Sequence, residues 1–382
     1  MNTAYRYPGY AQPDTWVLSR ILLEQAAQQP ERPAIRFVDG PDWSYAQLRR
    51  EALHCAHWLQ QQGVQPGSRV ALMTDEPEAF CRCWLGLALL GAVSVIINTG
   101  VRGEPLRHQL QLADTLWVLA SSELMPVVAD CGFKVALHDT ASATHAAPLP
   151  QSHIHPGLHS DIASIMFTSG TSGPSKGVLM PHAHCVLFGV GTIDNLQLGA
   201  DDCFYICLPL FHANGLLMQL LACLLSGACA VIRARFSASR WLADIRHYGA
   251  THTNLLGALS AFVVAQPETA QDSEHRLKVV GSAPLPHNSD RILRERFKVP
   301  DVIPMYGMTE VNIPLYGHMG EQAAGTCGRL YSRYFEAEIR DPDSDEPLPA
   351  GETGELMVRP RWVPSVLWPG MWACRQDRGS LA

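Results

Sequence analysis

Short continuous apolar runs alternate with helical patterns along most of the chain. Ala34–Val38, Arg69–Met73, Ala92–Ile97, Thr115–Leu119 and Phe133–Leu137 read as strands of the first half. Ile162–Phe167, Cys203–Leu208, Ala228–Ile232, Thr251–Leu255, Arg276–Val280 and Val302–Met305 continue the series. Most are apolar on both faces rather than alternating, the mark of parallel strands covered by helices on either side. Between them lie the helices. Asp14 or Thr15 is expected to cap one that runs to about Gln29. Ser44 opens a second, with Leu48, Ala52, Cys55 and Leu59 on one face and Gly63 closing it. Pro77 starts an almost wholly apolar helix through Leu90, and further helices are predicted from about Glu104 and Ser122, near His182–Asn195, from Gly215, over Ala238–Tyr248, from Leu256 to Ala265 and over Pro286–Phe297. The order predicts an α/β chain built on doubly wound, mostly parallel sheets. After Gly325 the character changes. Glu336–Arg340 and Gly354–Val358 read as short strands around a turn-rich segment, which predicts a small twisted β-subdomain.

Two stretches depart from this pattern. His138 to Ser160 is rich in Ala, Thr, Pro and His and reads as a linker or surface excursion. Its His153, His155 and His159 lack carboxylate or Cys partners at ligand spacing, which favours a solvated segment over a metal site. Gly215 to Ile232 approaches membrane-span length, but Gln219, Ser226 and Gly227 interrupt it, so a buried helix and strand is expected.

The strand Ile162–Phe167 stops in Thr168-Ser-Gly-Thr-Ser-Gly-Pro-Ser-Lys-Gly177. Gly170 and Gly173 let the backbone approach a ligand closely. The amides of Ser169 to Gly173, with the hydroxyls of Thr168, Ser169, Thr171 and Ser172, suit an anion site, and Lys176 adds a point charge. The segment is read as a polyphosphate loop. It is not a Walker A sequence, because Ser175 precedes Lys176 and Gly177 follows it.

A second motif, Tyr306-Gly-Met-Thr-Glu310, follows a predicted strand, where α/β folds place ligand loops. Thr309 offers a hydroxyl to a phosphate, Glu310 a hard oxygen for Mg²⁺, and Tyr306 a flat face for adenine, with Gly307 beside it. Alone, the string is equally what a helix cap at Thr309 would give.

Together, in this order, these motifs resemble the adenylate-forming superfamily of acyl-CoA synthetases, luciferases and adenylation domains. The resemblance extends from about Thr15 to Arg359. It implies that Gly281, Ser282 and Ala283 contribute backbone to the adenine pocket. It also implies that His212, in Pro209-Leu-Phe-His-Ala-Asn-Gly215, orients the acyl group, with Lys176, Thr309 and Glu310 acting in catalysis. The wording of the motifs is similar to acyl-CoA ligases, the carnitine/crotonobetaine-CoA ligase group in particular. Such enzymes join a carboxylate to the α-phosphate of ATP, then pass the acyl group to coenzyme A. On this reading residues 1–360 form one AMP-binding domain with subdomains at about 1–160, 161–324 and 325–360, and 361–382 a divergent tail.

After Arg359 the pattern departs from the family. The expected ribose-binding aspartate, hinge and small lysine-bearing domain do not follow, which predicts weak adenylation and inefficient thioester formation by this chain. A frameshifted or shortened product and a natural short form all fit that departure. Two classes of function then stand side by side: an ATP-dependent acid–CoA ligase, or a non-catalytic nucleotide- or acyl-binding relative. An adenylation domain for another acid is the alternative within the first. Gly281, Asn254 and Thr253 are candidates for contact with the acid, and Leu255 or Leu256 for setting its chain length.

Composition narrows the picture further. The chain has 382 residues, a formal net charge of -7 and no basic cluster, which disfavours nucleic acid as a partner. Its 11 cysteines are scattered, without a Cys-x-x-Cys pair, and its first residues lack an apolar core. Reduced thiols, a cytoplasmic setting, no integral membrane association and a small carboxylic acid as partner are expected.

Overall fold

The computed structural model describes residues 3–144, 146–168, 175–321 and 325–361. Two large sheets carry the fold. The larger has nine strands, in the order Arg329–Leu330, Asn312–Tyr316, Asp301–Met308, Val279–Ala283, His252–Leu256, Cys203–Ile206, Cys229–Ile232, Pro33–Phe37 and Asp42–Ser44. Its six central strands, from Asp301–Met308 to Pro33–Phe37, run parallel. The smaller has six strands, Ala136–Asp139, Trp117–Ala120, Arg69–Met73, Val93–Ile96, Ile162–Thr168 and Lys176–Pro181, parallel except for the last. Phe335–Arg340 pairs with Glu355–Pro360 as an antiparallel ribbon.

The larger sheet is not built from one consecutive stretch of chain. Strands Pro33–Phe37 and Asp42–Ser44 belong to the larger sheet, and Ile162–Pro181 completes the smaller one. The expected division near residue 160 is corrected in this respect: the chain starts in the larger sheet, builds all six strands of the smaller one between Arg69 and Pro181, and returns.

Three apolar clusters layer the molecule. The central one joins side chains of both sheets, such as Leu72, Met166, Ile206 and Ile303, to helices Leu18–Gln28, Tyr45–Gln61, Pro77–Leu90 and His182–Leu196. A second covers the other face of the larger sheet with helices Ala238–Tyr248, Gly257–Val264 and His287–Glu295. A third covers the other face of the smaller sheet with Gly103–Leu112 and Met125–Asp130. The middle helices touch apolar surface on several sides, which is why Pro77–Leu90 is almost wholly apolar.

Local chemistry sets several ends. Ser44 forms a capping box with Gln47, its hydroxyl accepting from the Gln47 amide while the Gln47 side chain accepts from the Ser44 amide. Gly91 and Gly227 close their helices in the left-handed region. The first helix departs from expectation and begins at Leu18. The Thr15 hydroxyl donates back to the Gly9 and Gln12 carbonyls instead of capping. Residues 138–160 also pack more closely than a solvated linker. Ala143 and Leu149 are buried, His155 donates its amide to the Leu89 carbonyl, and the residues around 146–147 accept from His54 and His57. Among the described residues no helix is long and apolar enough to cross a membrane.

Candidate active site

The parallel strands of both sheets deliver their following loops to a common junction. Ile162–Thr168 of the smaller sheet ends at the candidate phosphate loop. The next strand, Lys176–Pro181, returns antiparallel to Ile162–Thr168: Lys176 lies opposite Thr168 and Gly177 opposite Phe167. Ser169, Gly170, Thr171, Ser172 and Gly173 lie outside the described residues. Lys176 is exposed at the base of the hairpin. Ser175 is held from helix Gly103–Leu112, its carbonyl 3.2 Å from His108 Nε2 and its hydroxyl accepting from Gln109 Nε2 at 3.1 Å.

The second motif comes from the larger sheet. Tyr306 and Gly307 are not in a loop, as expected, but in the strand itself, which continues to Met308 and turns back through Thr309–Val311 into Asn312–Tyr316. Gly307 is required there: a Cβ would lie 2.2 Å from the Asn312 carbonyl oxygen. Asn312 turns the chain at φ 71°, a conformation asparagine tolerates better than most residues. The turn thrusts Thr309 and Glu310 across to the smaller sheet. The Thr168 hydroxyl donates to Glu310 Oε1 at 3.0 Å, so the two motifs meet although 142 residues separate them.

His184, at the start of the helix that follows the hairpin, braces this meeting. Its Nε2 donates to the Thr309 carbonyl at 2.9 Å, while Asn312 Nδ2 donates to the His184 carbonyl at 2.9 Å. Burial holds its pKa down to about 4, so the ring is neutral, and Nδ1 has no partner among the described residues. The sequence pattern offered no signal for His184. Asn312 was marked only by being an asparagine beside a turn.

His212 lies in the loop after strand Cys203–Ile206. It is solvent-accessible, packs on Phe211 at 4.7 Å between ring centroids, and desolvation pushes its pKa down. Its carbonyl accepts from Leu216, and Gly215 lets the helix close on the loop, since a Cβ there would lie 2.6 Å from the Pro209 carbonyl oxygen. The helix expected from Gly215 begins as a π-turn segment, Asn214–Leu220, and becomes α-helical at Leu221. Beside Phe211 a cleft of about 620 Å³ separates the two sheets, bordered by Thr74, Phe80, Arg102 and Arg235. Arg235 Nη2 crosses it to Asp75 Oδ2 at 2.8 Å.

Gly281, Ser282 and Ala283 form the end of a central strand paired with Asn254, Leu255 and Leu256. The Ser282 hydroxyl donates to the Pro284 carbonyl, leaving backbone as its offering to a ligand. Two expectations for the acid pocket are corrected. Thr253 is buried and donates to the Tyr205 carbonyl at 2.8 Å, and Leu255 is buried in the cluster on the far face of the sheet. Strand alternation puts both opposite Asn254 and Leu256.

Glu310 is exposed, and Thr168 engages one of its carboxylate oxygens, leaving the other for a hard cation that shares its remaining ligands with phosphates. The donor set therefore fits Mg²⁺ brought with a nucleotide.

The two large sheets and the motifs that meet between them make up an α/β domain. The AMP-binding enzyme pattern matches residues 22–368, and the chain belongs to that family. It is 30% identical over 341 residues to the crotonobetaine/carnitine–CoA ligase of Escherichia coli strain SE11, covering 83% of this chain and 65% of that protein. It is 28% identical over 356 residues to long-chain fatty acid transport protein 6 of Mus musculus, covering 87% and 57%. The chain thus spans less than two thirds of the length of these relatives. Its fold is similar to ATP-bound MatB from Rhodopseudomonas palustris, with TM-score 0.82, 23% identity and coverage of 91% of this chain and 70% of that one. It is also similar to a benzoate CoA ligase from Burkholderia xenovorans LB400, with TM-score 0.81, 22% identity and coverage of 90% and 71%.

Proposed function

We propose that the chain carries the ATP-dependent carboxylate-activating site of an acid–CoA ligase. The contact between Thr168 and Glu310 carries the reading, because it joins a candidate phosphate loop to a candidate metal-binding carboxylate at the junction of two sheets. In the reaction, a carboxylate oxygen of the acid attacks the α-phosphorus of ATP and the bond to pyrophosphate breaks. The sulfur of coenzyme A then attacks the acyl carbon, its proton is lost, and AMP departs.

Both reactants of the first step are anions. Mg²⁺ bound at Glu310 would neutralise phosphate charge. Lys176, Thr168 and the loop amides would receive the charge that develops on pyrophosphate, and Thr309 would donate to a phosphate oxygen. Tyr306 and the backbone of Gly281–Ala283 would flank adenine. His212, with its pKa held down, would orient the acid as a neutral ring. The cleft beside Phe211 supports a route for a second reactant to the same edge. No covalent enzyme intermediate is required, so the residues act by position and charge. The free cysteines among the described residues support a reducing, cytoplasmic setting.

The test is ATP–pyrophosphate exchange by the purified chain across short, medium, aryl and carnitine-like acids, paired with calorimetric titration of Mg-ATP. Acid-dependent exchange supports the proposal. Nucleotide binding without exchange for any acid favours a non-catalytic binding protein, and absence of nucleotide binding overturns both.

A further inference from the structure

Three side-chain amides meet behind the His212 loop. Asn214 opens the π-turn segment, Gln219 lies five residues further on, and Asn254 comes from strand His252–Leu256. A π-turn has its bonds between residues five apart, so it stacks Gln219 over Asn214, which an α-helix would not do. Gln219 Nε2 and Asn254 Nδ2 both donate to Asn214 Oδ1, each at 2.9 Å.

One oxygen taking two donations orients both neighbours. Each spends its NH₂ on Asn214 and turns its carbonyl away. Gln219 Oε1 and Asn254 Oδ1 are buried and have no hydrogen-bond partner among the described residues. Asn254 Oδ1 reaches over Gly281, where a Cβ would lie 2.3 Å from it. Leu216, Leu217 and Leu220 are buried in the same segment. Two unpaired acceptors in apolar surroundings are costly unless something donates to them.

We propose that Gln219 and Asn254 form a polar subsite in the acid pocket, positioned by Asn214, that selects carboxylic acids bearing a neutral hydrogen-bond donor on the acyl chain. A hydroxyl or an amide N–H fits two uncharged acceptors. A plain alkyl chain of the same length leaves both carbonyls unpaired, and a site built to bond a polar group discriminates strongly against the analogue that lacks it. The inference rests on the adenylating reading above.

Sulfamoyladenosine esters, stable mimics of an acyl-adenylate, test it without turnover. The chain is titrated calorimetrically with the butanoyl, hydroxybutanoyl and ketobutanoyl compounds. A hydroxybutanoyl compound is expected to bind at least about tenfold tighter than the butanoyl one. Gln219→Met, close in volume, and Asn254→Leu are expected to bring that ratio to about one. Gln219→Met keeps the test decisive where Asn254→Leu does not fold. Equal binding of the butanoyl and hydroxybutanoyl compounds by the native chain overturns the subsite but leaves the adenylating site standing. Preference for the acceptor-only ketobutanoyl compound overturns it too, since the amides would then face outward with their N–H groups. Binding of none of the three overturns the subsite and the adenylating reading together.

Discussion

Thr168 and Glu310 stand at the ends of strands in two different sheets, and the hydroxyl of one donates to the carboxylate of the other at 3.0 Å. The contact joins the two sheets. It also allows the charge of Glu310 to be separated from its hydrogen bond. Glu310→Gln retains an acceptor for Thr168 and removes the charge. Exchange should fall about 10²–10³-fold at saturating Mg-ATP, with little change in melting temperature because the side chain is exposed. Thr168→Val should cost less. A Glu310→Gln chain that exchanges at the native rate would remove Glu310 from the mechanism.

His184 makes stability depend on pH, together with His182. Burial lowers both to about 4 from an ordinary 6.5. The unfolded chain takes up protons as pH falls through 6.5 while the folded chain does not. Stability is therefore full above that value and drains away as pH falls toward the folded pKa. The loss is about 2 kcal/mol per histidine by about pH 5. Chemical denaturation at stepped pH should show it, and His184→Leu should remove one histidine's share of the dependence.

The same histidine should matter for function through Thr309. His184→Leu removes the donor to the Thr309 carbonyl and frees the turn that carries Glu310. Nucleotide affinity should fall by about tenfold, the scale of one lost hydrogen bond. Calorimetric titration of Mg-ATP at pH 7.5 would check it, and unchanged affinity would confine His184 to a packing role.

Gly307→Ala should be among the more damaging small substitutions. The added Cβ would meet the Asn312 carbonyl oxygen at 2.2 Å, backbone that cannot rotate aside. The hairpin would have to open, at a cost of about 1–3 kcal/mol, and Glu310 would leave Thr168. Thermal melts and nucleotide titration should both register it.

Leu255 and Leu256 should separate packing from specificity. Leu255→Ala creates a cavity in the cluster on the far face of the larger sheet and should cost about 2–5 kcal/mol without changing which acids are used. Leu256 is 38% exposed at the strand end beside Ala283. Leu256→Trp should shift the acid profile in the exchange assay with little loss of stability. The reverse pattern would place the pocket on the other face.

Much of the architecture was legible because single local signals decided it. Pro77 and Ser44 each announced the start of a helix, and the structure places Pro77 in the first turn of one and Ser44 at the N-cap of the other. Edge and pairing strands were harder. Asp42–Ser44 has only three residues and Asn312–Tyr316 contains Pro314, so neither shows a clear strand pattern; each is a strand because it folds back on the one just before it, Pro33–Phe37 and Asp301–Met308. Tyr306–Met308 was taken for loop for the same reason. A strand end with glycine in it looks like a turn until its partner is known.

The sequence by itself determined the α/β class, the alternation of buried strands and helices, and the two motifs with the chemistry their side chains carry. Those follow from periodicity, turn residues and functional groups, all of which act within a few residues. The tertiary structure alone decided that Thr168 faces Glu310, that His184 braces Thr309, and that Thr253 and Leu255 turn away from the side that Asn254 shares with Asn214 and Gln219. These depend on register and on which sheet a strand joins. A one-residue step in a strand exchanges its two faces, and the apolar pattern of a strand buried on both sides does not say which face is which.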